Sequence, residues 1–163
     1  MEKIQKIKKK VIYVDMDGVL ADFHTKRDNL PQQIKDAYEG RADLIPNFFR
    51  DLPLIPGAKE AMKVLNKHFD VYILSTPPWG NPTAWGDKRL WIGEHFPYMW
   101  KKMILSHNKG LMKGEWLIDD TDYRGQKDFV NSKGEKAHIH FGKPDLENWD
   151  KVMDYIMGFS DNN

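Results

Sequence analysis

The sequence contains no cysteine, no long apolar run and no marked excess of either charge. Without cysteine, disulfides and thiolate metal sites are excluded, which suits a reducing compartment. A membrane-spanning helix needs about 20 predominantly apolar residues, and the chain has no such run. The net charge of +1 lacks the basic excess that is typical of nucleic-acid-binding domains. We therefore expect a soluble cytoplasmic protein that neither enters a membrane nor binds nucleic acid stably.

The 163 residues suit a single domain with a small insertion, and 40% hydrophobic with 30% charged residues is typical of a globular protein. Predicted strands cover Val11–Val14 and residues 70–74, 102–106, 116–118 and 137–141. Predicted helices cover residues 31–39, with Gly40 just past the end, 58–65, 81–96, with Asn81 as N-cap, and 148–159. Alternation of the two predicts βαβ units and a parallel sheet. We interpret most of the tryptophan cluster as core; its members are Trp79, Trp85, Trp91 and Trp100.

Two carboxylates, Asp15 and Asp17, follow the first predicted strand directly, with Gly18 next. A bare Asp-X-Asp-Gly is equally typical of a tight turn. Two like charges about 4 Å apart repel by roughly 4 kcal/mol at an effective dielectric of about 20, so a buried pair needs a positive partner. Oxygen ligands favour Mg²⁺. This stretch alone indicates either a turn or a magnesium site.

Polar residues also end three later strands of the predicted sheet. Ser75 and Thr76 follow the second strand, Lys109 follows the third, and Asp119 with Asp120 ends the fourth. In parallel sheets, ligands bind beyond the carboxyl ends of the strands. Four polar ends converging on one edge by chance would be improbable, so the sequence predicts a site there. His138 and His140 share a face of the fifth strand, but too few further ligands lie nearby for a typical zinc site.

These four motifs, in this order, resemble those of haloacid dehalogenase-superfamily phosphatases. Longer strings resemble the 5′(3′)-deoxyribonucleotidases. They are DMDGVLADF, FFRDLPLIPGA, ILSTPP, DKRLWIGEHF, the lysine ten residues before the first aspartate of IDD, and RGQ at residues 124–126. The resemblance implies a Rossmann-like, three-layer α/β/α fold with a parallel sheet of order 5-4-1-2-3. It also implies a core of residues 1–23 and 51–163, with a small helical cap inserted at residues 24–50.

The resemblance further implies roles for the acidic residues. Asp15 would attack phosphorus, being ionised at neutral pH, and form an aspartyl phosphate. Asp17 would protonate the leaving oxygen and then activate water. Mg²⁺ would be bound by Asp15, by the backbone carbonyl of Asp17 and by Asp120, with Asp119 acting through a second-layer contact.

For the phosphate, the resemblance implies Ser75, the weaker candidate Thr76, Lys109 and Lys88. Phe23 and Phe49 are candidates to stack on a base, with Phe48 a further one, although packing explains such aromatics equally well. The insertion is shorter than the cap of the mammalian members, and His107 stands where an arginine is expected. Base contacts are therefore not carried over.

The predicted function is Mg²⁺-dependent hydrolysis of deoxyribonucleoside 5′- or 3′-monophosphates. One alternative is another phosphatase of the superfamily, acting on small molecules or on nucleic-acid ends. A second alternative is a non-enzymatic phosphoacceptor domain, although such receivers place their acidic pair on strand one and the acceptor on strand three. The expected partner is a small nucleotide substrate, with a homodimer as a possible assembly.

Overall fold

The computed structural model describes the backbone of residues 8–160 and the side chains as far as Gly158. Five strands and five α-helices lie within this range, with short 3-10 turns between them. The strands are β1 (Val11–Val14), β2 (Asp70–Ser75), β3 (Met103–Leu105), β4 (Trp116–Asp119) and β5 (His138–His140). The helices are α1 (Phe23–Asp28), α2 (Gln32–Ala37), α3 (Ala58–His68), α4 (Thr83–His95) and α5 (Trp149–Ser160). Phe159, predicted on the closing helix, has its side chain outside the described part.

All strand pairs are parallel, and the order across the sheet is β3-β2-β1-β4-β5. Viewed from the other edge this is 5-4-1-2-3, which confirms the predicted order. The central strand β1 is bordered on both sides, with Val14 paired to Ile73 of β2 and to Ile118 of β4. The apolar, β-branched composition of these strands suits burial on both faces.

The two faces of the sheet are covered differently. On one face, the apolar sides of α3, α4 and α5 pack on residues such as Ile12 and Ile73. On the other face, Tyr13, Leu117 and Phe129 form a smaller cluster. The chain between β3 and β5 supplies this second cover and includes 3-10 turns at Lys109–Leu111 and Gln126–Asp128.

The predicted cap, residues 24–50, holds most of α1, all of α2 and two 3-10 turns, the second of which runs on to Asp51. Asn81, predicted as an N-cap, instead donates both protons of its side-chain amide to this segment. Its Nδ2 lies 2.9 Å from the carbonyl oxygens of Asp43 and Ile45. Thr83 at the start of α4 donates to Asn81 and accepts from the backbone of Asn47. These bonds fix the insertion to α4.

The interpretation of the tryptophans as mostly core is wrong. Trp91 is fully buried on α4 and donates to the carbonyl of Leu52 at 2.8 Å. By contrast, Trp79 is 80% and Trp100 is 68% exposed. Trp79 follows a Pro-Pro turn and Trp100 precedes the short edge strand β3, so neither belongs to a periodic element that would direct its ring inwards.

The helices that the structure describes are short, and the longest of them, α4, has 13 residues. Within residues 8–160, none has the length and apolar character that crossing a membrane requires.

Replacing Asn81 by alanine should lower the free energy of unfolding by about 1–3 kcal/mol, because two partly buried carbonyls lose their donor. Urea denaturation of the purified variant measures this. Asn66→Ala is the control. Asn66 is half-buried and donates to Met62, one turn earlier in the same helix, so we expect a smaller loss. Equal losses for the two variants would contradict the assigned role of Asn81.

Candidate active site

The carboxyl ends of β1, β2 and β4 bring the predicted site residues together. Asp15 continues β1, and its backbone N–H donates to the Ile118 carbonyl at 2.9 Å. Ser75 ends β2 and Asp119 ends β4. Residues that are far apart in the sequence therefore meet at one edge of the sheet, as the alternation of strands and helices predicts.

Lys109 occupies the centre of this edge. Its Nζ lies 2.9 Å from Asp15 Oδ1 and 2.5 Å from Asp119 Oδ2, and its side chain is 1% exposed. The preceding residue, Asn108, caps the 3-10 turn by accepting from the N–H of Gly110 at 3.1 Å. Removing one partner of such a buried pair typically costs about 3–5 kcal/mol. The three groups therefore hold one another in place.

A second buried lysine pairs with Asp17, the second carboxylate that follows β1. Lys88, on α4, forms an ion pair with Asp17 and donates to Ser75 Oγ at 3.0 Å. Its ammonium also lies 4.4 Å from the centre of the Phe49 ring. Asp17 Oδ1 is buried and has no hydrogen-bond partner among the described residues. An oxygen in this position is available to a further donor or cation.

Asp120 lies against the turn that follows β1. Gly18 has φ +77°, and a Cβ built there would collide with the Asp120 carboxylate. Glycine suits this position for two reasons: it adopts the positive φ, and it leaves room for the Asp120 carboxylate to approach the backbone. Asp120 Oδ2 also lies 3.4 Å from Nε2 of His24.

The carboxylates of Asp15, Asp119 and Asp120 lie within 4.8 Å of one another. Asp119 already accepts from Lys109 and, through Oδ1, from the Thr121 backbone N–H at 2.9 Å. Asp120 is less engaged. Together with Asp17 the site has four carboxylates against two buried lysines, which leaves two negative charges when all are ionised. An all-oxygen donor set with this excess fits a hard divalent cation.

The histidines of β5 hold the acidic pair by its backbone. His138 Nε2 lies 3.1 Å from the Asp119 carbonyl oxygen, and His140 Nε2 lies 2.9 Å from that of Asp120. The two rings stack with centroids 4.9 Å apart. Each ring nitrogen can donate to a carbonyl when it carries a proton. The two histidines therefore have a structural role, because they bind the backbone of Asp119 and Asp120.

Beside the acidic edge lies a cavity of about 370 Å³. Asp15, Asp17, Phe23, Phe49, Thr76 and Asp120 line it, as do residues that the sequence did not single out: His24, Arg27, Arg41, Asp43, Tyr123 and Arg124. Arg41 donates to Asp43 through two nitrogens, at 2.9 and 2.7 Å, and keeps the pKa of that carboxyl below its ordinary value. Only Arg124 lay in a string that had been noticed, RGQ. Tyr123 directly precedes this string, and the remaining four come from the insertion, which has no motif to mark them.

The two base-stacking candidates differ in accessibility. Phe49 is 2% exposed and stacks on Phe23, with ring centroids 5.7 Å apart, whereas Phe23 is half-buried. Phe48 is also buried.

Among the phosphate candidates, the Thr76 hydroxyl donates to the Ser106 carbonyl at 2.7 Å, so it is turned to the backbone of the neighbouring strand end.

A family model for "5' nucleotidase, deoxy (Pyrimidine), cytosolic type C protein" matches residues 29–159. A protein of Vibrio phage KVP40, provisionally named a 5′(3′)-deoxyribonucleotidase, is 44% identical over 155 residues, which cover 94% of this chain and 88% of the relative. The chain belongs to this deoxyribonucleotidase family. The predicted family and enzyme class, a phosphatase, are thereby confirmed.

Two further matches, one relative and one solved structure, are less similar in sequence to this chain. The human cytosolic-type 5′(3′)-deoxyribonucleotidase is 32% identical over 148 residues, covering 72% of this chain and 74% of the human protein. A solved structure, provisionally assigned as a haloacid dehalogenase-like hydrolase of Burkholderia xenovorans LB400, matches with a TM-score of 0.47 and 14% identity over 84% of each chain.

The electrostatics of this acidic edge bear on the expected ionisation of Asp15. Burial, together with the charge of Asp119, raises the pKa of Asp15 to about 8, although Lys109 acts in the opposite direction. Burial also lowers the pKa of Lys109, but Asp15 and Asp119 outweigh it and the net shift is upward. Without a cation, this upward shift disfavours the ionised form of Asp15 that its expected role requires. A hydrogen bond to Asp120 raises the pKa of His24.

In EDTA, we expect the free energy of unfolding to fall between about pH 5 and pH 8. The folded pKa of Asp15 lies above the unfolded value near 4, so the folded state retains a proton that the unfolded state releases, and stability is lost as pH rises through this window. Adding MgCl₂ should raise the melting temperature more at the upper end, where protons compete less.

Asp15→Asn is the matched control, because it keeps the shape and removes the titration. In EDTA, the free energy of unfolding of this variant should fall across the window by at least about 1 kcal/mol less than that of the wild type. The histidines are the same in both proteins and cancel. Identical slopes measured by thermal or urea unfolding would show that Asp15 does not carry the effect.

Proposed function

We propose that this chain is a Mg²⁺-dependent phosphatase of deoxyribonucleoside 5′- or 3′-monophosphates that works through an aspartyl-phosphate intermediate. One observation carries the proposal: the carboxylate of Asp15 lines an open cavity while Lys109, fully buried, neutralises it from behind. The named activity of the phage and human relatives agrees with it. The human name also supports a cytoplasmic location.

In this proposal Asp15 is the nucleophile. Its carboxylate attacks phosphorus, the bond to the leaving oxygen breaks, and the phosphoryl group is held on Asp15. Lys109 reduces the repulsion between this carboxylate and the phosphate dianion. Phosphate monoesters are among the slowest bonds to hydrolyse, so both steps need charge stabilisation.

Asp17 is the proposed acid and base. It lines the cavity beside Asp15, and the ion pair with Lys88 fixes its carboxylate. Protonated, it would donate to the leaving oxygen; ionised, it would take a proton from the water that releases phosphate. Lys88 and Ser75 are hydrogen-bonded to each other and would contact the transferred phosphoryl group.

Asp15, the backbone carbonyl of Asp17 and Asp120 would hold the cation, with Asp119 occupied by Lys109 and Thr121. Bound Mg²⁺ would neutralise the carboxylate cluster and the phosphate charge and align the two. At neutral pH, this extra positive charge would also favour the ionised form of Asp15.

The cavity beside Asp15 has the size of an ordinary small-molecule site, for which pockets of about 300–1,000 Å³ are typical. Phe23 is the accessible ring against which a base would stack. All residues used in the mechanism come from one chain, so the proposal does not depend on a homodimer.

Asp15→Asn should reduce turnover by at least about 1,000-fold, because the amide cannot form the acyl phosphate. Phosphate release from a deoxyribonucleoside monophosphate, measured with MgCl₂ present, tests this. The variant's melting curve serves as the folding control. Near-normal turnover in a folded variant would remove Asp15 as the nucleophile.

A substrate panel tests the rest of the proposal. We expect Mg²⁺-dependent phosphate release to be faster from deoxyribonucleoside monophosphates than from ribonucleotides and simple sugar phosphates, and to stop in EDTA. Equal rates on sugar phosphates would contradict the nucleotide substrate and leave a general phosphatase. A stable phosphoaspartate without continuous release would instead indicate the phosphoacceptor alternative.

A further inference from the structure

Gln126 is a fully buried polar residue that the mechanism above does not use. It begins the 3-10 turn Gln126–Asp128, directly after Gly125, whose φ is +90°. Its side chain is engaged at both ends. Oε1 accepts from the backbone N–H of Arg124 at 2.6 Å, and Nε2 donates to Thr121 Oγ1 at 2.8 Å. A buried glutamine with both ends satisfied has one orientation, because any other leaves polar groups unpaired.

One end of Gln126 leads to the side chain of Lys109. The Thr121 hydroxyl accepts from Gln126 and donates its own proton to Asp119 Oδ1 at 3.0 Å. The other oxygen of Asp119 lies 2.5 Å from Lys109 Nζ. The orientation of the Asp119 carboxylate, and with it the place of the Lys109 ammonium beside Asp15, is thus tied to the glutamine amide.

The other end leads to the backbone of Lys109. Oε1 of Gln126 fixes the peptide N–H of Arg124, and the carbonyl of Arg124 accepts from the Lys109 backbone N–H at 2.8 Å. The two chain segments touch closely here: a Cβ built at Gly110 would lie 2.7 Å from the Gly125 carbonyl oxygen. Lys109 is therefore held at its backbone and at its ammonium by one loop.

We propose that Gln126 is a positioning residue for Lys109, acting through Thr121 and Asp119 on the ammonium and through Arg124 on the backbone. The inference rests on the proposed function for what Lys109 does to the phosphate. It assigns Gln126 no contact with substrate. Its effect is on how accurately the lysine charge meets Asp15 and the phosphoryl group, and for the comparable partners that orient metal ligands a loss typically costs about 10–100-fold in activity.

Gln126→Met tests the proposal, because methionine has a similar length and cannot replace the two hydrogen bonds. We expect kcat to fall by about 10–100-fold, with a smaller change in KM. Thr121→Val breaks the same relay and should behave alike, whereas Thr121→Ser keeps the hydroxyl and should retain most of the wild-type kcat.

Val152→Ala is the stability control. Val152 is buried on α5 among core residues, so the variant loses stability without touching the relay. All variants are compared well below their melting temperatures. Amide hydrogen exchange at Lys109 gives a readout independent of activity: it should be faster in Gln126→Met than in Val152→Ala at equal stability.

If Gln126→Met kept the kcat and the Lys109 exchange rate of Val152→Ala, the positioning role would be wrong. If the wild-type protein released no phosphate from any substrate, the proposed function would fail first. The exchange comparison would then still decide whether Gln126 holds Lys109.

Discussion

The ion pairs of Lys109 with Asp15 and Asp119 are the interaction on which the site depends. An ammonium with 1% of its side chain exposed is tolerated only with compensating charge, and two buried carboxylates are tolerated only with the ammonium. The parallel sheet makes this arrangement possible because β1 and β4 are neighbours and end at the same edge. The lysine itself comes from a separate turn, which must be held against that edge by hydrogen bonds of its own.

The sequence allowed the sheet and most of the acidic edge to be predicted, for a physical reason. Strands buried on both faces are apolar runs, so an abrupt change to Asp15 or Asp119 marks both the end of a strand and the place where polar chemistry begins. The burial of Lys88 could not be predicted, since a helical lysine is usually exposed. Its burial follows from the way α4 packs, which periodicity alone does not reveal.

Other features have no local signature. Most of the tryptophan cluster was interpreted as core, but Trp79 and Trp100 lie in turns that hold their rings outside it. Arg27, Arg41 and Asp43 reach the cavity only because the insertion folds back and is fixed to α4 by Asn81. Gln126 belongs to the RGQ string, yet nothing in that string indicates that its amide faces Thr121 rather than solvent.

The charge balance of the site shows how a single cluster could serve as both scaffold and proposed reaction centre. Four carboxylates and two lysines leave an excess of two negative charges, and the cluster can meet it with protons or with a divalent cation. The raised pKa of Asp15 favours the first of these, and a protonated Asp15 could not act as the proposed nucleophile. A cation would lift that block by making the ionised carboxylate the stable form. In the proposed mechanism, metal binding and activation of Asp15 are therefore one event, and the buried lysines keep the cluster assembled in either state.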